Sequence, residues 1–246
     1  MFQFSITSPN EQDWVTKMER FLSIRLKDYK GVLAKSENAH RTSISIACVK
    51  EHKNEVIALI KEAIIMTILC QIKFEYLTKA MKNIRLNEES HEILLASLVA
   101  FDRETESEMV DKSLKLGEQI ALDGLFNFRL NELKKRWDDI ALLARNNATY
   151  LNNDEALCEL LRFLLSAISP KIMRLDISEG GKGGDKGQYF VKGDYQGGGF
   201  EYKINCANQL LLYLINVAPL ELNLHGKFSD KKLLNRLTNI FETSVV

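Results

Sequence analysis

The chain begins with alternation. Phe2, Phe4 and Ile6 alternate with polar residues as far as Thr7, which predicts a short strand that Pro9 and Asn10 end. Trp14, Met18, Phe21, Leu22 and Leu26 then recur at the spacing of an amphipathic helix, to about residue 27. Residues 28–40 are polar and read as a loop. Arg41 to Cys48 alternates cleanly and carries β-branched residues, so it reads as a half-buried strand. Val56, Ile60, Ala63, Thr67, Cys70, Phe74, Leu77 and Met81 restore the helical period. That helix is about seven turns long, and its centre is apolar on nearly every side, as in a helix central to its domain.

The middle third reads as helix throughout, over about 88–102, 104–121, 123–147 and 153–167. Asn87, Asp123 and Asn152 or Asn153 stand where N-caps are needed. After Pro170, residues 172–177 look like a strand, and Gln188–Val191 and Phe200–Ile204 like two more. A helix over about 206–217, a strand from Leu220 to Leu224 and a helix from Ser229 or Asp230 to about Glu242 follow. The predicted class is α+β. It comprises a small α/β N-terminal part (1–83), a helical region (84–168) and a C-terminal β-hairpin plus βα unit (169–246). The pattern leaves open whether 1–83 and 169–246 share one sheet.

Composition narrows the function more than the fold. With 46% hydrophobic and 27% charged residues, the 246-residue chain is too apolar to be disordered. Lys+Arg and Asp+Glu both total 33, so bulk charge does not recruit nucleic acid. Residues 1–83 carry net +4, 84–168 net −6 and 169–246 net +2, an asymmetry read as solvated faces, with attraction between these parts as the alternative. The longest strongly apolar run, Ala63–Cys70, spans about 12 Å as a helix against a hydrocarbon core of about 30 Å, so no membrane span is expected. The first residues lack a basic and an apolar signal region, and the four cysteines form no CxxC pair. Both features predict a cytoplasmic protein with reduced, buried thiols.

The candidate chemistry is thin. Gly180–Gln188 follows a strand, but Lys186 precedes Gly187 and Gln188 and then another strand. A phosphate-binding loop needs a hydroxyl after its lysine and a helix after that. A flexible hairpin loop that binds no nucleotide is expected there, and a second turn at Gly197-Gly198-Gly199. His91-Glu92 lacks the second histidine of a zinc helix, since Leu95 holds its place, and His40 and His52 are isolated. No GxSxG occurs. No catalytic, cofactor-binding or metal residue is therefore assigned, and no cofactor. Asp102, Glu104, Glu106, Glu108 and Asp111 spread around a helix start and read as a solvated face. Lys134-Lys135-Arg136 precedes Asp138 and Asp139 and reads as intrahelical ion pairs rather than a nucleic-acid patch. Three residues remain as site candidates. His225 ends a predicted strand before Gly226 and a helix, where α/β folds place their sites. Asp123 reads as a helix cap. Arg129 lies off the buried stripe of Phe126, Leu130, Leu133, Trp137, Ile140 and Ala144, where pairing with a carboxylate of a neighbouring helix is expected.

The segment Leu122-Asp123-Gly124-Leu125-Phe126-Asn127-Phe128-Arg129-Leu130-Asn131-Glu132-Leu133 resembles the entry to a long helix in the YtxC family of sporulation proteins of endospore-forming Firmicutes. Leu211–Pro219, with the strand after it ending in His225, is similar to a second stretch of that family. Order and spacing agree over about residues 85–246, the N-terminal third agrees only loosely, and the glycine-rich insert departs from the family. The resemblance implies a sporulation setting and no activity. The function expected is that of a non-enzymatic protein acting through an unknown protein partner. The alternative is an enzyme or small-ligand-binding protein with a site near His225.

Overall fold

The computed structural model describes residues 1–180, 187–195 and 198–245. The architecture is mixed α+β, and the chain forms two compact units, Met1–Ala80 with Arg103–Ala141 and Met81–Asp102 with Leu142–Val246. The strands expected at the two ends do not share a sheet. They lie in two separate ones, and the helical middle is divided between the units.

In the first unit, β1 (Phe2–Pro9) and β3 (Arg41–Cys48) pair antiparallel with Phe2 opposite Cys48. β2 (Val32–Glu37) flanks β3, and β4 (Gln119–Ala121) runs parallel to β1 on the other side. β2 corrects the loop expected over 28–40. It is an edge strand paired on one side only, so its pattern is mostly exposed and polar. β4 corrects the helix expected over 104–121. That helix, α5 (Arg103–Ser113), stops a few residues before Gly117. One face of the sheet, formed by Phe4, Ile6, Ile44, Ile46 and Cys48, is buried under α1 (Trp14–Arg25). The long central helix appears as α2 (Lys53–Met66), a π-helical segment (Thr67–Ile72) and α3 (Lys73–Ala80). The helix expected over 123–147 divides at Leu130 into α6 (Leu122–Arg129) and α7 (Asn131–Asn147).

The second unit opens with α4 (Glu88–Ala100) and α8 (Asp154–Ser166), capped by Asn87 and Asn153 as the sequence implies. Its sheet has the order β7-β6-β5-β8-β9. β5 (Arg174–Glu179), β6 (Tyr189–Tyr195) and β7 (Gly198–Ile204) form antiparallel pairs, while β8 (Glu221–His225) and β9 (Glu242–Val245) run parallel to β5. The crossover helices are α9 (Ala207–Val217) and α10 (Lys231–Ile240), the latter capped by Asp230. The last predicted helix thus ends at Ile240, and the chain returns as an extra strand. Leu175, Ile177, Tyr189, Val191, Leu222 and Leu224 turn to one side and join a core with α4, α8, α9 and α10. Gly198 and Gly199, expected in a turn, lie within β7; residue 197 and the loop residues 181–186 fall outside the described residues. Gly193 has a packing role. A Cβ there would stand 2.5 Å from Leu175 Cδ2 and 2.9 Å from Phe200 Cζ. No helix among the described residues is long and apolar enough to cross a membrane.

Candidate functional site

Alternation dictates what each sheet presents away from its helices. In the second sheet the outward residues include Arg174 and Asp176 on β5, Lys192 and Asp194 on β6, Glu201 and Lys203 on β7, and Glu221, Asn223 and His225 on β8. His225 stands at the end of β8, where Gly226 takes φ 80° and turns the chain. Its Nε2 lies 2.8 Å from Asp176 Oδ1, and Asn223 Nδ2 donates to the same oxygen at 2.9 Å. The His225 hydrogen bond, aided by Asn223, holds the Asp176 carboxyl below the usual range despite partial burial. Both side chains are about two-fifths exposed, at 41% and 42%. A shallow depression of about 430 Å³ adjoins Asp176, lined also by Lys192, Asp194 and Glu201. The carboxylate can orient the imidazole for proton transfer. Ser178 sits opposite His225 in the register, yet no hydrogen bond joins its hydroxyl to the ring. No group of three or more His, Cys, Asp or Glu among the described residues is placed to hold a metal ion.

The other two candidates separate from His225 and lie in the first unit. Asp123, expected as the cap, falls instead in the first turn of α6, with Ala121 at the N-cap position, and Arg41 Nη2 and Nη1 donate to its two oxygens at 2.6 and 3.2 Å. Nη2 of Arg41 also reaches Thr7 Oγ1 at 3.0 Å. Arg41 holds the Asp123 carboxyl below its ordinary range, with the backbone N–H groups of Asp123 and Gly124 adding to the effect. The pair ties α6 to β1 and β3. Arg129 is exposed, and no ion pair engages it among the described residues, so the expected partner on a neighbouring helix is not there. Phe126 is half-buried rather than central, stacked on Trp137 at 5.8 Å with Tyr76 edge-on at 6.1 Å. Lys134 Nζ bonds the Asn127 carbonyl and lies over the Phe126 ring instead of pairing within its helix.

Two features escaped the sequence. Glu106, read as part of a solvated face, is buried: Lys73 Nζ donates to it at 2.7 Å and Trp137 Nε1 at 2.9 Å. Lys73 is itself fully buried, while Phe74, expected inside, is 48% exposed. The wider turns of the π segment just before them shift the helical phase, so Lys73 faces inward in place of Phe74.

The second feature is the outward face of the first sheet. β1 presents Gln3, Ser5 and Thr7; β3 presents Arg41, Ser43, Ser45 and Ala47; β2 presents Val32, Ala34 and Ser36. Arg41 is the one charge among these, and Asp123 engages it. Gln3, Ala34 and Ser45 are exposed, and Val32 is 67% exposed. A groove of about 830 Å³ crosses all four strands of this face. Only knowledge of which strands pair, and which side α1 covers, could have assembled these residues into one surface.

The fold is thus an α+β protein with a one-sided sheet in each unit. No protein-family model matches the chain, no curated protein matches it in sequence, and no solved structure matches it significantly.

Proposed function

We propose that this protein works by contact with another protein, and that the outward face of the first sheet is the contact surface. The carrying observation is that the strands of that face present a single charge, Arg41, which Asp123 engages, with a groove of about 830 Å³ across them. Sheet faces left to water ordinarily carry polar and charged residues outward, and a face nearly without charge departs from that rule. Ser45 and Ala47 lie at its centre. The sporulation setting rests on the resemblance of Leu122–Leu133 and Leu211–Pro219 alone. To test the contact, tagged full-length chain would be purified from its own cells as wild type, Ser45→Glu and Lys203→Glu. A specific partner lost only from Ser45→Glu, with all three melting alike, is the expected result. Equal recovery with Ser45→Glu contradicts it.

A second reading places a small-ligand or acid–base site at Asp176 and His225, beside the depression of about 430 Å³. A ligand found by screening that shifts the melting temperature of wild type but not of His225→Ala favours this reading. Equal shifts count against it.

A further inference from the structure

We infer that the groove on the outward face of the first sheet receives an amphipathic helix of the partner protein, apolar on the buried face and acidic along one flank. The inference rests on the contact reading above and adds the form and charge of the occupant.

Shape comes first. The floor is made of Gln3, Ser5, Ala34, Ser45 and Ala47, mostly small side chains, with Met1 and Val32 at one end and Gly117–Gln119 at the other. The hollow of about 830 Å³ needs a convex partner. A second copy of the same face would leave two hollows facing each other, far looser than the close packing of protein contacts. Backbone chemistry excludes the other simple shape. A strand laid on the face of a sheet, rather than along its edge, can form no ladder with it, so its own N–H and C=O groups lose regular partners. A helix satisfies those groups internally and offers side chains as knobs. Four strands at about 4.8 Å spacing are about 19 Å wide. A helix of about 13 residues covers that span at a rise of 1.5 Å per residue, presenting about six apolar positions at the usual density of three to four per two turns.

Charge fixes the flank. Lys53 lines the groove, its Nζ 5.6 Å from the centre of the Phe2 ring. A second depression of about 440 Å³ shares Met1, Val32 and Ala47 with the first and adds Lys30 and Lys50, against Glu51 alone. Glu118 stands at the far, β4 end. Lys30 and Lys50 at the β2–β3 end and Lys53 beside Phe2 of β1 thus outnumber the two carboxylates, Glu51 and Glu118, around the two depressions. Carboxylates on the flank of the incoming helix meet these lysines, which sets orientation and the rate of encounter more than affinity.

The test uses the intact chain as bait for a displayed library of 16-residue helices. The apolar face is fixed and the flanking positions are randomised between Glu and Lys. A parallel library alternates polar and apolar residues as strands do. Helices with Glu on one flank should be enriched. The best of them should bind Ser45→Glu at least about tenfold more weakly than wild type, a loss of about 1.4 kcal/mol. Lys53→Glu, a surface change, should shift the preference toward Lys. Enrichment of strand-like or Lys-flanked sequences on wild type, enrichment of nothing, or equal binding to Ser45→Glu each overturns the inference. So does sedimentation that shows a wild-type dimer converted to monomer by Ser45→Glu. A natural partner that touches Ser45 through a non-helical segment removes the helix and leaves the contact reading intact. A partner that never touches Ser45 removes both.

Discussion

The two sheets are built alike and finished differently. Each buries an aliphatic face under helices and leaves the other face open. On the second sheet the open face is laced with charge. Arg174 pairs with Glu221 at 2.8 Å, Lys192 with Glu201 at 3.4 Å, and Asp176 with His225 at 2.8 Å. On the first sheet the open face is Gln3, serine, alanine and Val32, with one ion pair at its end, Arg41 with Asp123 at 2.6 Å, and the first unit buries a second charge pair in its helical layer, at Lys73 and Glu106. Such exposed ion pairs add little stability, typically about 0–1 kcal/mol each. Their effect is to keep a face in water and to discourage association. A face with fewer of them is less committed to water, and on the function proposed above that contrast distinguishes the two sheets.

The largest expected effect lies in the buried pair. Lys73→Met should cost roughly 3–5 kcal/mol, because it strands the Glu106 carboxylate in the core. Lys73→Met with Glu106→Leu should recover much of the loss, since a well-packed apolar pair of similar volume is often neutral. Urea denaturation of the three chains measures this, and a single variant as stable as wild type would refute the burial of that pair.

Alkali should act on both units. Burial, with hydrogen bonding and the charge of Asp138, pushes the Tyr76 phenol up to about 12. Burial, with the charges of Glu179 and Asp230, does the same to Tyr189, also to about 12. A free phenol titrates near about 10. The folded values are raised, so the stability carried by the neutral phenols is complete below pH ~10 and is lost as pH rises toward about 12. Phenolate absorbance followed with circular dichroism should show two late tyrosines ionising together with unfolding. Their ionisation near 10 in a folded protein would contradict the packing described.

Arg41 and Asp123 give a smaller effect of opposite sign in pH. Asp123→Asn should cost about 1 kcal/mol at neutral pH, in the range for a charge-assisted pair that is partly exposed. The depressed Asp123 carboxyl means this contribution is present above the ordinary aspartate value of about 3.9 and disappears as pH falls through the lower folded value. The acid limb of the stability curve should therefore be shallower in Asp123→Asn, and unchanged steepness would count against the pairing.

Smallest of all are the open faces. Ser45→Glu and Arg174→Ala should each leave stability within about 0.5 kcal/mol, as surface substitutions do. Thermal melts check both. A large loss from Ser45→Glu would mean that the face is already covered within the chain.

How much of this was legible in the sequence depended on whether local pattern decides the outcome. Arg41–Cys48 alternates because one side is core, and its strand appears with the same limits. Asn87, Asn153 and Asp230 cap helices because the cap is a local hydrogen bond. Val32–Glu37 and Glu242–Val245 were hidden, since edge strands gain their ladder from a distant partner rather than from their own alternation. Lys73 and Glu106 were hidden because a π segment changes the phase that periodicity assumes. His225 was found from its place at a strand end, but Asp176 lies 49 positions away and only parallel pairing brings it close. The outward face with its single ion pair required pairing, register and the side taken by α1, none of which is written locally.

The central claim is that the first sheet makes contact and the second does not. A photoreactive amino acid placed at Ser45 or at Lys203 of the full chain, irradiated in the cells that make it, tests this most directly. A discrete adduct with one other protein is expected from position 45, abolished by Ala47→Glu, and none from position 203. Equal labelling from both positions, or an adduct from 203 alone, would contradict it.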